Sequence, residues 1–153
     1  TGHLSPLEAP AEVARLIAQF VAAIENKSVA CRSPDQVPAA FDAALNAGDL
    51  DAVLGLFSNQ ATMRMTNGEV VQESPGGLRA GLAQLLPLRP RIRNEVRRVL
   101  TSGDIALVLL DWTLNVRLPD GRDHEERGTA TQVIEKGRDG GWRLRISNPA
   151  GLN

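Results

Sequence analysis

The chain has 153 residues, enough for one domain with its own core. It is 42% hydrophobic and 23% charged, an ordinary globular composition, and its net charge of −1 gives no field to recruit nucleic acid or an anionic membrane. A lone cysteine, Cys31, excludes an intrachain disulfide and a cysteine-based zinc site; His3 and His124 form no metal-binding motif; and the absence of tyrosine removes the phenol as a proton donor.

Residues 1–9 are a polar entry containing Pro6. Val13, Ile17, Phe20 and Ile24 then fall at helical spacing, so an amphipathic helix of about three to four turns is predicted, its apolar stripe buried. Asn26–Ser33 breaks it. Glu8 and Glu12 stand where a secretory leader would be basic, and no stretch is apolar enough for a bilayer span, so a cytoplasmic location is the expectation. Ser33-Pro34 predicts the start of a second helix that Gly48 ends. Asp49 caps a short helix reaching Phe57. Ala61–Met65 and Glu69–Gln72 flank Asn67-Gly68, a hairpin signal. Ser74-Pro75 opens a helix to about Leu86, where Pro87 and Pro90 stop it. Long strands follow at Arg91–Leu100, Ile105–Leu118 and His124–Glu135, and a last one at Trp142–Asn148. Helices segregated from antiparallel strands define an α+β class. Two segments result: an N-terminal arm at 1–33 and the main domain at 34–153.

The run Phe41-Asp-Ala-Ala-Leu-Asn-Ala-Gly-Asp-Leu-Asp-Ala-Val, followed by a strand beginning Ala61-Thr62, resembles the opening of the ketosteroid isomerase and SnoaL-like polyketide cyclase group, within the nuclear transport factor 2-like superfamily. The resemblance spans about residues 35–148. It implies a cystatin-like α+β barrel: a curved antiparallel sheet wrapped as a cone around the helices, with ligands entering the open end. Ketosteroid isomerases, a worked case of pKa tuning, use an Asp base and an oxyanion hole of Tyr and protonated Asp. By the resemblance, those positions fall on Met65, Phe41 and near Thr131. None can play the isomerase role. A thioether is no base, so classical steroid isomerisation is not expected. No catalytic residue is assigned.

Alternation in Ile105–Leu118 puts Ala106, Val108, Leu110, Trp112, Leu114 and Val116 on one face, which the resemblance turns into the cone. Trp112 reads either as core or as a ligand contact with an indole N–H to offer. Asp111 falls on the outer face, paired with an Arg or at a subunit contact. On the last strand Trp142, Leu144, Ile146 and Asn148 share a face, and Asn148 reads as a strand-end hydrogen bond or a polar contact inside. Arg127, Thr129 and Thr131 are assigned inward. Met63 and Met65 line the cone wall or pack in the core. Arg89, Arg91, Arg93, Arg97 and Arg98 read as a solvated outer face, without the aromatics of a nucleic-acid platform.

The expected ligand-binding set is therefore Phe41, Met65, Leu110, Trp112, Thr131 and Asn148 around one cavity, with no metal and no cofactor. Three functions remain open. The domain binds a small, mostly apolar molecule; or it is a natural-product cyclase or isomerase with relocated catalytic groups; or it is an interaction domain whose interior its own side chains fill. A homodimer is expected through the sheet's outer face, where Ile105–Leu109 is apolar on both faces, with neither nucleic acid nor membrane as a partner. The N-terminal helix is expected as a lid on the cone's mouth or as an arm exchanged between subunits.

Overall fold

The computed structural model describes residues 13–17, 31–72 and 75–153. Residues 13–17 are helical, and Val13 and Ile17 are 54% and 56% exposed, where burial was expected. Apolar spacing tells which residues share a helix face, not what covers that face. Phe20, Ile24 and the rest of the arm, with the question of a lid, lie outside the described residues.

Helix α1 runs Gln36–Asn46, beginning two residues after Pro34. Ser33 does not cap it with its side chain; its carbonyl accepts from the Gln36 N–H in a preceding turn. Gly48, at φ 71°, supplies the left-handed exit, a conformation that costs glycine little. Helix α2, Leu50–Leu54, starts on Asp49, whose carboxylate accepts from the Ala52 N–H at 3.1 Å. It ends before Phe57, which already opens strand β1, Phe57–Arg64. The turn at Asn67-Gly68 joins β1 to β2, Val70–Gln72, with Gly68 at φ 91°. Helix α3, Pro75–Ala83, gives way to a 3₁₀ turn at Leu86–Leu88. Three long strands follow, β3 Arg91–Ser102, β4 Ile105–Arg117 and β5 Asp123–Lys136, and β6 closes the series at Trp142–Asn148.

The six strands form one sheet in the order β2-β1-β6-β5-β4-β3. All pairings are antiparallel except β1 with β6, which is parallel. Register shifts interrupt β1–β6, β3–β4 and β5–β6. Each bends a strand and increases local twist, which is how a sheet of long strands curls around helices. The inner face carries the core: Ala106, Val108 and Leu110 of β4, Ala130 and Ile134 of β5, and Trp142 and Leu144 of β6, packed with Val37, Leu45 and Val53 of the helices.

Helix α1 also covers the open edge of β3. Asp42 and Asn46 are four apart and so share one helix face. Asn46 donates to Ile92 O at 3.0 Å and accepts from Ile92 N at 2.7 Å, while Asp42 accepts from Asn94 N at 2.9 Å. Two side chains thus stand in for a missing strand partner and satisfy backbone groups that an uncovered edge would expose.

Candidate functional site

Between the concave face of the sheet, α1 and α3 lies a cavity of about 370 Å³. This volume is within the range of small-molecule sites. The third of the open readings, an interior filled by its own side chains, does not match a space of this size. The walls are Phe41 and Leu45 of α1, Met63 of β1 with Met65 just beyond it, Leu82 and Leu85 from the α3 side, and Ile92, Trp112 and Leu114 of the sheet. Phe41 meets Phe57 edge-on, with ring centroids 6.4 Å apart. Asn94, Gln132 and Ser147 are polar groups on the inner face, and Glu126 and Gln84 are exposed lining residues.

Of the six expected site residues, Phe41, Met65 and Trp112 line this cavity, and Leu110, Thr131 and Asn148 do not. Leu110 does lie on the inner face, but it is only 2% exposed and belongs to the packed core. Thr131 is on the outer face. Cross-strand partners point the same way, and Trp112 pairs with Gly128, Leu110 with Ala130, and Leu109 with Thr131. The inward residues of β5 are thus Ala130, Gln132 and Ile134, not Arg127, Thr129 and Thr131. Asn148 is displaced by a bulge. Ile134 pairs with Leu144 but Val133 with Ile146, which leaves Arg145 as the extra residue. From there the parity of β6 reverses: Ile146 turns outward, 43% exposed, and Ser147 turns into the cavity.

Asn148 is instead a tie for the C-terminal turn. Its amide donates to Thr131 Oγ1 at 3.0 Å and to Gly151 O at 2.8 Å, and its oxygen accepts from Arg64 at 3.3 Å. Arg64 also donates to Asn153 O. The turn so held brings Pro149 to the cavity wall, where its carbonyl accepts the Trp112 indole N–H at 2.8 Å. The indole proton, which one of the two readings of Trp112 offered to a ligand, is therefore already used. Trp112 lies over Gly128, the one inner-face position of β5 without a side chain; a Cβ there would stand 2.7 Å from the ring.

The titratable groups divide by position. Asp111 is on the outer face, as expected, and accepts from Arg97 Nε at 2.6 Å; Arg97 also reaches Glu95 at 3.2 Å. Both partners raise the Arg97 pKa, the Asp111 hydrogen bond most. Asp42 is the perturbed acid nearest the cavity. Burial pushes its carboxyl above the ordinary Asp range, against the lowering effect of two hydrogen bonds from Asn94 and of the Arg93 charge. It does not line the cavity, but its 2.6 Å bond from Asn94 Nδ2 fixes how Asn94 faces it. On β5, Glu126 and His124 form a pair at 3.2 Å, partly exposed, with Glu126 reaching the lining. Arg127 pairs with Glu125 at 2.6 Å. Burial raises the Cys31 thiol despite Arg143 nearby, which suits a structural rather than a reactive cysteine. Among the described residues no group of three His, Cys, Asp or Glu side chains is arranged to hold a metal.

Asn94, Gln132 and Ser147 were not anticipated as site residues. Gln132 had a signal: it shares strand parity with Ala130 and Ile134, a polar residue in an apolar row. Ser147 had none, because the bulge that turns it inward leaves no mark in the sequence.

A six-stranded, mostly antiparallel sheet curled over helices, with a cavity between them, defines an α+β class of fold. A family model described as the SnoaL-like domain matches residues 37–144, and the chain belongs to that family. Solved structures agree on the fold. A ketosteroid isomerase-like protein from Erwinia carotovora atroseptica aligns at 16% identity and TM-score 0.64, over 74% of this chain and 89% of its own. A candidate dehydratase of the NTF2-like family from Streptomyces avermitilis aligns at 18% and 0.64, over 74% and 90%. A domain of unknown function with a cystatin-like fold from Nostoc punctiforme aligns at 18% and 0.61, over 74% and 71%. No curated protein sequence matches the chain. Among the described residues, no helix is long and apolar enough to cross a membrane.

Proposed function

We propose that this SnoaL-like domain holds a small, mostly apolar molecule in its cone, without classical ketosteroid isomerase chemistry. The cavity carries the reading: about 370 Å³, walled by aliphatic, Met and aromatic side chains, with only neutral amide and hydroxyl groups among its buried polar residues. Phe41 and Met65 occupy the positions where the family resemblance would put an oxyanion donor and a base, and neither can move a proton. Phe41, Met65 and Trp112 are taken as ligand contacts.

One observation favours the alternative, a natural-product cyclase or isomerase with relocated groups. The His124–Glu126 pair, 3.2 Å apart, touches the cavity lining and could pass a proton between carboxylate and imidazole. Solvent extraction of purified protein and mass spectrometry separate the two. A binding domain is expected to release an apolar molecule that fresh protein leaves unchanged. Under the enzyme reading, wild type alters the mass or retention time of that molecule and Glu126→Gln does not. A protein that yields no extract and binds no apolar probe in calorimetry overturns both.

The same reading includes a homodimer formed through the outer face of the sheet. Leu100, Ile105 and Ile146 stand 53%, 56% and 43% exposed there, a cost to a monomer in water. Sedimentation is expected to give twice the chain mass, and Ile105→Glu to shift it toward the monomer. A wild-type monomer at high concentration would refute this part.

A further inference from the structure

One position on the cavity wall holds less than its place calls for. Leu78, Gly81, Leu82 and Leu85 follow one another at helical spacing, so they share the inward face of α3 and of the turn after it. Leu78 and Leu82 are buried in the core, and Leu85 packs against it. Gly81 lines the cavity among them. Glycine is among the poorest helix formers, and nothing local requires it here. Its φ is negative. Among the described residues, the nearest atom that a Cβ would meet outside its own helix is Met65 Cε at 3.9 Å, an ordinary contact. A side chain would therefore fit, and it would stand in the cavity facing Met65.

We infer that Gly81 holds open a subsite between α3 and Met65, and that the far end of a ligand about the bulk of two to three aromatic rings lies there. The inference rests on the cone being a binding site. A dry apolar cavity of about 150 Å³ accepts a single benzene. At about 370 Å³ this cavity is more than twice as large, so one ring would leave much of its wall without contacts. Met65, unbranched and polarisable, closes on rings of different shape from the opposite side. The missing side chain thus sets the size of the ligand: the space that a leucine would fill at this position is filled by the ligand instead.

The test is fluorescence titration of naphthalene and phenanthrene, of two and three fused rings, with the full chain. Wild type is expected to bind phenanthrene about tenfold tighter or more, because the third ring is buried over Gly81. Gly81→Leu should bring phenanthrene affinity to or below that of naphthalene, while naphthalene binding stays near the wild-type value. Gly81→Ala should narrow the preference by a smaller factor. Without ligand, Gly81→Ala should also raise the melting temperature by about 2–4 °C, since alanine favours the helix. A gain in stability with a loss confined to the larger ligand is a result that a packing role for Gly81 would not give. Equal affinity of wild type for both compounds overturns the inference and leaves the binding reading standing. So does either variant that keeps the full wild-type preference, or a Gly81→Leu protein that loses both compounds alike. A lower melting temperature in Gly81→Ala also overturns it, since the fold itself would then require the glycine. If Gly81→Leu does not fold, Gly81→Ala decides. If wild type binds neither compound up to the solubility limit, the binding reading fails and the inference with it.

Discussion

Leu110→Ala is expected to destabilise the protein by about 2–5 kcal/mol, the usual cost of truncating a fully buried leucine. Leu110 is 2% exposed and sits between Val96 of β3 and Ala130 of β5. Both are small or medium residues fixed in the sheet, so the gap cannot easily close. For a chain of this size the loss corresponds to a fall in melting temperature of about 4–20 °C. Differential scanning calorimetry reads it directly. A loss under about 1 kcal/mol would mean that Leu110 borders open space, as the family resemblance had implied, and not packed core. Naphthalene-probe affinity, measured well below the transition, should change little, because Leu110 does not line the cavity.

Gly128→Val is expected to strike stability and binding together. A Cβ at Gly128 would lie 2.7 Å from Cζ2 and 2.8 Å from Cε2 of Trp112, inside any normal contact. The ring is a rigid plane, pinned by its bond to Pro149, so it can yield only by breaking that bond. Overpacking of this kind costs about 1–3 kcal/mol, and the broken hydrogen bond adds about 1 kcal/mol. The displaced indole has the cavity to move into, so probe affinity should fall by at least about tenfold. Gly128→Ala should act in the same direction with a smaller effect. A Gly128→Val protein of wild-type stability and affinity would mean that Trp112 is not seated on Gly128 in solution.

These two positions also show how differently the parts of the molecule could be read. Local chemistry placed the elements. Gly48 ends α1 because a left-handed residue costs glycine least, and Asp49 starts α2 because its carboxylate accepts a free helical N–H. Asn67-Gly68 turns β1 into β2. The period-two row from Ala106 to Leu114 told which residues of β4 share a face, and the family resemblance turned that face inward and Asp111 outward. Each of these signals lies within a few residues of what it controls. The SnoaL-like family was likewise legible, because its opening helix–turn–helix is a local pattern.

The cavity lining was not local, and it was only half legible. Phe41, Met65 and Trp112 lie on elements whose faces were clear. Thr131 and Asn148 depended on the pairing register of β5 and β6. One residue of slip reverses every side chain beyond it. In β5, Val133 and Ile134 are equally apolar neighbours, so alternation alone could not choose between them; the pairing of Gly128 with Trp112 did. In β6 the bulge at Arg145 turned Ile146 out and Ser147 in, and a bulge arises from how two strands meet. By itself the sequence determined the element order, the fold class and the apolar face of the central strand, since caps, turns and periodicity act over a few residues. Only the tertiary structure decided that Gln132 and Ser147 face the cavity and that the Trp112 proton is spent on Pro149, because register and bulges are settled between strands distant in the chain.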